Sequence, residues 1–390
     1  MELYSHNLDG IEYSIRAIES LAAQHAQGRK MYYLNIGDPV KLGVKTPKSV
    51  CDAACTAISQ GRNGYSHSFG CPEGRQAVSE FYAVRGITAP ANDIYLTSGV
   101  SEAMSLLYTA LFNSGDSISL PRPYYPLYEN LAQLNRVRIN YYEMDDNGIP
   151  DIASLRESIK GDTKACVLIN PNNPMGSCLS RRQVDEIRDT VLSRGAILIS
   201  DEIYSEIIYG GQKMAYAMAG AEDENIITLG GISKSHLVPG WRCGWAVFGR
   251  SRQILKLRGN FEKLLQMRLC SPAPFQYALP AILKDTSFFN DYLALLKRNA
   301  GIVQKHVSES GGLLSVGRID AAFYAFIKMN WKNPDSAALA RHLIIDKGVV
   351  VVPGTGFGKE GYFRVVFACD STLLEEAMSK IVEGASSLNK

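Results

Sequence analysis

A lysine and an arginine lie eight residues apart behind a short apolar segment, and together they could do chemistry. Lys234 follows Ser233 and the apolar segment 226–229, and Arg242 stands within GWRCGW. A lysine at the end of a buried strand is partly desolvated, which lowers its pKa and makes it nucleophilic. A planar guanidinium can clamp a phosphate through two hydrogen bonds. The pair indicates an imine-forming lysine beside a phosphate site, although most lysines are simply surface residues.

A second phosphate-binding feature lies just after the apolar segment 94–97. Gly99 would let the backbone approach an anion, and the amides of Val100 and Ser101 would point at it along the axis of a helix. Alone this signal is weak, because Gly and Ser are common caps at such turns. Combined with the imine-forming lysine and the arginine, it indicates pyridoxal phosphate as the cofactor.

Other side chains suit the ring of this cofactor. A protonated pyridine nitrogen needs a buried carboxylate, and Asp201 fits, although a helix N-cap explains it equally well. Asn173 and Tyr204 could donate to the phenolic oxygen, with a turn before Pro174 as the alternative for Asn173. Tyr125 could stack on the ring or be a core aromatic.

The elements that must position these residues alternate between strand and helix patterns. Strands are predicted at 94–97, 117–120, 136–142, 165–169, 196–200, 226–229 and 243–248, and helices at 101–112, 124–134, 151–159, 180–193 and about 250–267. Near-continuous apolar strands separated by helices predict an α/β fold whose large, mostly parallel seven-stranded sheet is covered by helices. Ligands bind at the carboxyl ends of such strands, so the polar residues that follow them should meet at one edge.

The remaining chain predicts a second, smaller α+β domain. A helical tract is predicted at 274–309, short strands at 323–327, 349–352 and 363–367, and a closing helix after them; further helices are predicted at 11–30 and 48–59. We therefore expect an N-terminal segment, 1–45, that joins the small domain, a large domain, 46–280, and a small domain, 281–390.

The composition of the chain argues against several classes of protein, among them nucleic-acid-binding and membrane proteins. The chain has 390 residues, too many for one compact core, and 41 Lys and Arg against 39 Asp and Glu give a net charge of +2. A nucleic-acid partner is not expected at this charge, and no apolar run approaches the roughly 18 residues that cross a membrane. The N-terminus lacks a secretory signal, so a cytoplasmic location is expected. The eight cysteines show no zinc-site spacing, so we expect reduced thiols and no metal.

One glycine-rich motif suggests a different cofactor. GFGKEG at 356–361 matches the dinucleotide pattern G-x-G-x-x-G. A dinucleotide fold needs a helix next, whereas FRVVFA at 363–368 reads as a strand, so a nicotinamide dehydrogenase is excluded. We expect a flexible loop beside the active site, with a plain hairpin connection as the alternative.

Nine short motifs occur along the chain in a highly specific order. They are NIGDP at 35–39, NGYSHSFG at 63–70, TSGVSEA at 97–103, PYYP at 123–126, NPNNPMG at 170–176, SDEIY at 200–204, SKSHLVPGWRCGW at 233–245, AAFYAF at 321–326 and FRVVFA at 363–368. Through them nearly the whole chain resembles the fold-type-I, pyridoxal-phosphate-dependent aminotransferases of classes I and II.

The resemblance implies roles around the cofactor ring. Lys234 would form the Schiff base and shuttle the proton, and Asp201 would pair with the pyridine nitrogen. Asn173 and Tyr204 would contact the phenolic oxygen, and Tyr125 would stack on the ring.

It also implies contacts to the substrate and the phosphate. Arg364 would grip the substrate α-carboxylate, with Gly37 and Asn173 near it. Tyr65 would reach the phosphate of the neighbouring subunit, which implies a homodimer with composite active sites. Gly231 replaces a serine that many relatives carry, so one phosphate hydroxyl is expected to be missing. The other phosphate contacts would be Val100, Ser101, Ser233 and Arg242.

Within this family the chain resembles the alanine aminotransferases of bacteria and archaea in particular, through EYSIRAI, LNIGDPVK and MRLCSPAPFQ. The expected reaction is a ping-pong transfer of an amino group between alanine and 2-oxoglutarate, giving pyruvate and glutamate. An aromatic or aspartate aminotransferase is the alternative, because GWRCGW and the many tyrosines also suit that branch. A decarboxylase or carbon–sulfur lyase would share the same lysine and aspartate. A transcription regulator would need a DNA-binding domain, and only about 34 residues precede NIGDP.

The second carboxylate of 2-oxoglutarate needs a cation when it is buried. The charge of a fixed, buried arginine would have no partner when alanine is bound. A mobile arginine avoids this energetic cost because it can leave the pocket. Arg16 and Tyr13 lie three residues apart in the N-terminal segment and can share one helix face. We expect Arg16 to reach the distal carboxylate and Tyr13 to help close the pocket. A solvated surface arginine is the alternative for Arg16, and Arg268 is a rival candidate for the role.

Overall fold

The computed structural model describes residues 3, 6–9, 11, 14–26 and 28–389. Its helices are α1 Ser14–His25, α2 Lys48–Ser59, α3 Pro72–Ala83, α4 Val100–Leu111, α5 Pro126–Leu134, α6 Ile152–Ser158, α7 Arg181–Ser193, α8 Arg252–Arg268, α9 Ala273–Ile282, α10 Phe289–Ser308, α11 Ser336–His342 and α12 Ser371–Leu388. Its strands are β1 Tyr32–Tyr33, β2 Ile94–Thr97, β3 Ser117–Arg122, β4 Arg138–Glu143, β5 Thr163–Ile169, β6 Ile197–Asp201, β7 Ile226–Gly231, β8 Gly244–Phe248, β9 Leu314–Val316, β10 Tyr324–Met329, β11 Val349–Val350, β12 Val352–Pro353 and β13 Tyr362–Val366.

Seven strands form one sheet in the order β2-β8-β7-β6-β5-β3-β4. Only β8 runs antiparallel, to both of its neighbours β2 and β7, and the other pairs are parallel. The predicted mostly parallel seven-stranded sheet is therefore confirmed.

Both faces of this sheet are buried, as the apolar strand sequences require. Val167 and Ile199 pack into one hydrophobic cluster, whereas Leu168 and Leu198 pack into another. Successive residues of a strand point to opposite faces, so a sheet covered by helices on both sides needs apolar residues at nearly every position.

The register brings the strand ends together. Asp201 at the end of β6 pairs with Ile169 of β5 on one side and with Leu229 of β7 on the other. Gly244 at the start of the antiparallel strand β8 pairs with both Thr97 of β2 and Gly231 of β7. The loops that follow β2, β5, β6 and β7, and the loop that precedes β8, therefore lie at one edge of the sheet.

The later part of the chain forms a smaller antiparallel sheet in the order β12-β13-β10-β9, with α10 and α12 packed together beside it. Strand β1 pairs in parallel with β11, which ties the N-terminal segment to this part. The seven-stranded sheet lies wholly within 94–248 and the smaller sheet within 314–366. The domain boundaries at residues 45 and 280 stay a prediction, and residue 280 lies within α9, which packs against α2 and α3.

Several element predictions need correction. The helix expected at 11–30 is the shorter α1, and the tract expected at 274–309 is interrupted between α9 and α10. Asp285 lies in that interruption, where its carboxylate accepts hydrogen bonds from Ser287 and from Ser49 of α2. Polar contacts of this kind favour a turn over a continuous helix. Helices α3 and α11 and strands β1 and β9 were not predicted.

The glycine-rich motif at 356–361 is the connection of a hairpin. Val352 of β12 pairs antiparallel with Arg364 of β13, and the connection begins with a 3₁₀ turn, Gly354–Phe357. Phe357 is fully buried, and its carbonyl accepts a hydrogen bond from the amide of Tyr124 at 3.1 Å. The hairpin alternative is therefore the one observed.

Among the described residues, no helix combines the length and the hydropathy needed to span a bilayer.

Candidate active site

A cavity of about 430 Å³ lies at the edge of the sheet where the strand ends meet. Its volume lies within the range of small-molecule sites. Eleven of the predicted site residues line it: Gly37, Val100, Ser101, Tyr125, Asn173, Asp201, Tyr204, Ser233, Lys234, Arg242 and Arg364.

Lys234 lies in the turn that follows β7 and is accessible only in part. Its Nζ atom donates a hydrogen bond to the carbonyl oxygen of Gly37 at 2.7 Å. Burial lowers the pKa of Lys234 to about 8; Arg242 acts in the same direction and Asp38 opposes it. A lysine with this pKa is partly unprotonated near neutral pH, as an imine-forming amine must be.

Asp201 is the buried last residue of β6. Its Oδ1 accepts a hydrogen bond from the amide of Ile203 at 3.2 Å, and its Oδ2 accepts one from the hydroxyl of Tyr128. Burial raises the pKa of Asp201 to about 6. Residues 203–206 form a turn rather than a helix, so the helix N-cap alternative does not apply.

Tyr128 is a member of the site that sequence reasoning missed. It lies in the first turn of α5, three residues after Tyr125, and is fully buried. The two rings meet edge to face, with their centroids 5.8 Å apart. The short spacing to Tyr125 was visible in the sequence, but the hydrogen bond to Asp201 joins positions 73 residues apart.

The residues predicted to bind the phosphate include a closely packed pair, Gly99 and Arg242, which we call the Gly99–Arg242 cradle. Gly99 precedes α4 with a φ of +81°, and Arg242 lies where a side chain on Gly99 would have to be. The guanidinium of Arg242 is oriented by hydrogen bonds to the carbonyl oxygens of Pro239 at 2.9 Å and Ser98 at 3.1 Å. Only glycine allows this approach, which places the arginine at the positive end of a 12-residue helix.

Gly231, where the family resemblance led us to expect a serine, has no room for a larger side chain. A Cβ atom there would lie 2.9 Å from the carbonyl oxygen of Cys243 and 3.0 Å from the Cα of Gly244. Strands β7 and β8 therefore approach each other closely at this glycine. A serine at position 231 would have to displace backbone atoms of Cys243 or Gly244.

Arg364 is held rigidly on β13 with only 2% of its surface exposed. Its Nη1 donates to Oδ1 of Asn173 at 3.0 Å, and its Nη2 donates to the carbonyl oxygen of Asn35 at 2.5 Å. The rings of Tyr324 and Phe357 flank the guanidinium at 4.7 and 4.8 Å. A buried, oriented guanidinium of this kind suits a carboxylate ligand.

Tyr204 is paired with a second residue that was not assigned a role. The hydroxyl oxygens of Tyr204 and Tyr324 lie 2.8 Å apart, and both residues are buried. The Tyr324 hydroxyl also fills the space that a side chain on Gly37 would need, which explains the glycine there. Tyr324 stands in the quoted motif AAFYAF, but nothing in that motif pointed to Tyr204.

The structure does not bring every predicted residue to the cavity. Tyr65 is 85% exposed and is not part of the lining. Tyr13 lies outside the described residues, as does the side chain of Arg16, whose backbone belongs to α1. Arg268 is directed elsewhere: its Nη2 donates to the carbonyl oxygen of Leu96 at 3.1 Å and its Nε lies 3.4 Å from Glu102.

These residues fit pyridoxal phosphate. The Gly99–Arg242 cradle offers amides and a guanidinium to a phosphate, as described above. The buried carboxylate of Asp201 needs a cationic partner, and a protonated pyridine nitrogen would be one. Lys234 supplies an amine in the same cavity. Within the described ranges, no group of His, Cys, Asp and Glu is arranged to hold a metal ion.

Comparisons with known proteins identify the family of the chain. Residues 29–381 match the family described as aminotransferase class I and II. The chain is 30% identical to the glutamate-pyruvate aminotransferase AlaA of Haemophilus influenzae, over 97% of this chain and 96% of that protein. It is 31% identical to mouse tyrosine aminotransferase, over 95% of this chain and 84% of that protein. A solved structure of alanine aminotransferase from Pyrococcus furiosus matches with a TM-score of 0.94 and 32% identity, covering 98% of this chain and 100% of that one.

Proposed function

Because the chain belongs to the class I and II aminotransferases, which use pyridoxal 5′-phosphate, we propose that it transfers the amino group of alanine to 2-oxoglutarate, giving pyruvate and glutamate. Two relatives that align over nearly the whole chain support this choice, since one is named a glutamate-pyruvate aminotransferase and the other an alanine aminotransferase. Mouse tyrosine aminotransferase is equally similar in sequence, so an aromatic amino donor is the competing possibility.

One observation carries the proposal. Lys234, Asp201, Arg242 and Arg364 line the same cavity, although up to 163 positions separate them in the chain. An amine, a buried carboxylate and two guanidiniums are what an amino acid and a phosphorylated pyridine aldehyde require together.

The predicted site residues of the cavity then have separate roles in the proposed reaction. The bound cofactor supplies an aldehyde that takes up the amino group and a ring that withdraws electrons from the α-carbon. Arg364 binds the α-carboxylate and so fixes the orientation of the α-carbon. Lys234 would hold the cofactor covalently between turnovers. It would also take the proton from the α-carbon and pass it to the aldehyde carbon of the cofactor, so that the amino group stays on the cofactor and the oxo acid leaves. Asp201 keeps the proton on the pyridine nitrogen, and Tyr204 donates to the phenolic oxygen.

The remaining contacts of the cofactor follow the same proposal. Asn173 contacts the phenolic oxygen in addition to orienting Arg364, and Tyr125 covers the ring. The amides of Val100 and Ser101, the hydroxyl of Ser233 and the guanidinium of Arg242 bind the phosphate.

The N-terminal segment is proposed to contribute to binding the distal carboxylate of 2-oxoglutarate. Arg16 lies in α1, and we propose that it approaches this carboxylate while Tyr13 helps to close the site. Arg16→Ala should raise the KM for 2-oxoglutarate and glutamate and leave the KM for alanine and pyruvate unchanged. Arg268→Ala is the control, because its guanidinium contacts Leu96 and Glu102 instead.

We also propose a homodimer with composite sites, acting in the cytoplasm. Tyr65 is 85% exposed in this single chain, which suits a residue that reaches into a neighbouring subunit. Tyr65→Phe should weaken cofactor binding while sedimentation still reports a dimer. A purely monomeric enzyme with full activity would contradict the composite site.

Initial-rate kinetics with product analysis tests the proposed function. The enzyme should form pyruvate and glutamate in equal amounts from alanine and 2-oxoglutarate, and double-reciprocal plots at several acceptor concentrations should be parallel. Release of carbon dioxide or of sulfide from amino acids, without an acceptor, would instead indicate a decarboxylase or a carbon–sulfur lyase.

A further inference from the structure

Among the described residues that line the cavity, one cationic side chain has no role in the proposed function. Its charged lining residues, among those the structure describes, are Asp38, Lys41, Asp201, Lys234, Arg242 and Arg364. Lys234, Arg242 and Arg364 serve the cofactor aldehyde, the phosphate and the α-carboxylate. These assignments leave Lys41 as the remaining cation of the lining.

The backbone around Lys41 is fixed by a tight turn. Oδ1 of Asp38 accepts hydrogen bonds from the amides of Val40 at 3.2 Å and Lys41 at 3.4 Å. The carbonyl oxygen of Pro39 accepts from the amides of Leu42 at 3.1 Å and of Val44 at 3.0 Å. This turn directly follows Gly37, whose carbonyl holds the Lys234 ammonium. Lys41 is therefore anchored at the cavity through its backbone, while its side chain is exposed.

The negative charge of Asp38 opposes the binding of a substrate with a second carboxylate, so a nearby cation is needed to offset it. Its carboxylate lines the same cavity and would repel a dicarboxylic substrate more than a monocarboxylic one. Lys41, three residues further along the same turn, offsets that charge. The two backbone amides that bind Asp38 also hold its carboxylate towards the turn.

A lysine suits an enzyme that must accept both alanine and glutamate. Its ammonium is a hydrated point charge on a flexible four-carbon stem, so it can bind a distal carboxylate or return to water. It therefore leaves no buried, uncompensated charge when the substrate side chain is a methyl group. A rigid, buried guanidinium such as that of Arg364 could not do this.

We propose that Lys41 binds the distal carboxylate of glutamate and 2-oxoglutarate, and so sets the preference for a dicarboxylic partner. This inference rests on the proposed alanine–2-oxoglutarate function. It differs from the role given to Arg16, because Lys41 belongs to the cavity wall itself, whereas Arg16 would approach from α1.

The test compares three variants of the holoenzyme. Lys41→Gln removes the charge at similar length, Lys41→Arg keeps it, and Lys45→Gln is the matched control, since Lys45 is exposed four residues away and does not line the cavity. Two quantities are measured. One is the KM and the rate constant of each half-reaction, with glutamate or alanine as donor. The other is the dissociation constant of glutarate and of butyrate, read from the cofactor absorbance.

Lys41→Gln should raise the KM for glutamate and 2-oxoglutarate and the dissociation constant of glutarate about fivefold to tenfold. It should leave the rate constants and the values for alanine, pyruvate and butyrate unchanged. Lys41→Arg should restore glutarate binding, and added salt should narrow the difference between wild type and Lys41→Gln. Lys45→Gln should behave as wild type.

Four results would overturn the inference. Lys41→Gln could shift alanine and glutamate equally, which indicates a structural role. Lys45→Gln could reproduce the selective effect, which would indicate that the total positive charge of the loop matters rather than a direct contact of Lys41. Wild-type enzyme could react with glutamate while Lys41→Gln leaves that reaction unchanged, which refutes Lys41 alone. A wild-type enzyme that does not react with glutamate refutes the proposed function first and Lys41 with it.

Discussion

The hydroxyl oxygens of Tyr204 and Tyr324 lie 2.8 Å apart in a buried contact between the turn that follows β6 and strand β10 of the smaller sheet. If Tyr204 donates its proton to the phenolic oxygen of the cofactor, it must accept the proton of Tyr324. Accepting that hydrogen bond makes Tyr204 a stronger donor. The pair therefore links the electronics of the cofactor to the strand that stands beside Arg364.

Tyr324→Phe should raise the pKa of the lysine–cofactor imine, because a weaker donor stabilises the unprotonated imine less. It should also cost about 1 kcal/mol of stability, the usual value for one lost hydrogen bond. Absorbance titration of the holoenzyme and thermal unfolding measure the two effects. Tyr142→Phe is the matched control, since the buried Tyr142 hydroxyl donates to the carbonyl of Val167 at 2.7 Å, outside the cavity. An imine pKa that shifts equally in both variants would refute the link.

The lowered pKa of Lys234 should make cofactor uptake depend on pH. Burial lowers its pKa to about 8 from an ordinary value of 10.5, and only the unprotonated amine forms an imine. The rate at which cofactor-free enzyme forms the imine should therefore rise with pH through a midpoint near 8. Stopped-flow absorbance between pH 6.5 and 10 measures it, with Nα-acetyl-lysine as the unperturbed reference. A midpoint close to that of the free lysine would contradict the desolvated site.

Asp201 should reduce the stability of the cofactor-free protein. Burial raises its pKa from 3.8 to about 6, so between these values the folded chain retains a proton that the unfolded chain has lost. Stability then falls as pH rises through this window, by up to about 3 kcal/mol. Asp201→Asn should therefore stabilise the cofactor-free protein above pH 6, as denaturant unfolding would report.

The same substitution should harm the loaded enzyme. Without the carboxylate the pyridine nitrogen loses its proton more easily, so α-proton removal should slow by roughly a hundredfold or more. Single-turnover kinetics with deuterated alanine measures this step. Asp201→Asn enzyme that keeps nearly full rates would refute the role of this carboxylate at the pyridine nitrogen.

Arg364 is expected to recognise every substrate in the same way. Lysine cannot reproduce the two-pronged hydrogen bond to an α-carboxylate, so Arg364→Lys should weaken all amino and oxo acids together, by roughly 30-fold or more. Half-reaction kinetics with alanine, glutamate and pyruvate tests this. Arg298→Lys, an exposed arginine on α10, serves as the control. A loss confined to one substrate would assign Arg364 to a side-chain pocket instead.

The strand ends are the part of the site that the sequence predicts well. Asp201 and Lys234 each follow a continuous apolar segment, and a parallel sheet necessarily gathers such ends at one edge. Arg242 and Gly99 were also found, because glycine before a helix and an arginine near a lysine are local signals.

The tyrosines that tune the site were not predictable in the same way. Tyr128 and Tyr324 act through contacts to Asp201 and Tyr204 that join positions 73 and 120 residues apart. No periodicity or spacing encodes such a contact, since it depends on how α5 and β10 pack. Helix α3 was missed for a related reason: its N-cap is the thiol of Cys71, which accepts from the amide of Gly74, rather than one of the usual capping side chains.

Single-turnover half-reactions test the proposed pairing of alanine with glutamate most directly. The loaded enzyme is mixed in turn with alanine, glutamate, tyrosine and aspartate, and the loss of imine absorbance gives a second-order rate constant for each. The rate constants for alanine and glutamate should exceed those for tyrosine and aspartate by at least about tenfold, and 2-oxoglutarate and pyruvate should each restore the absorbance. A larger constant for tyrosine or aspartate than for alanine would contradict the proposed pairing.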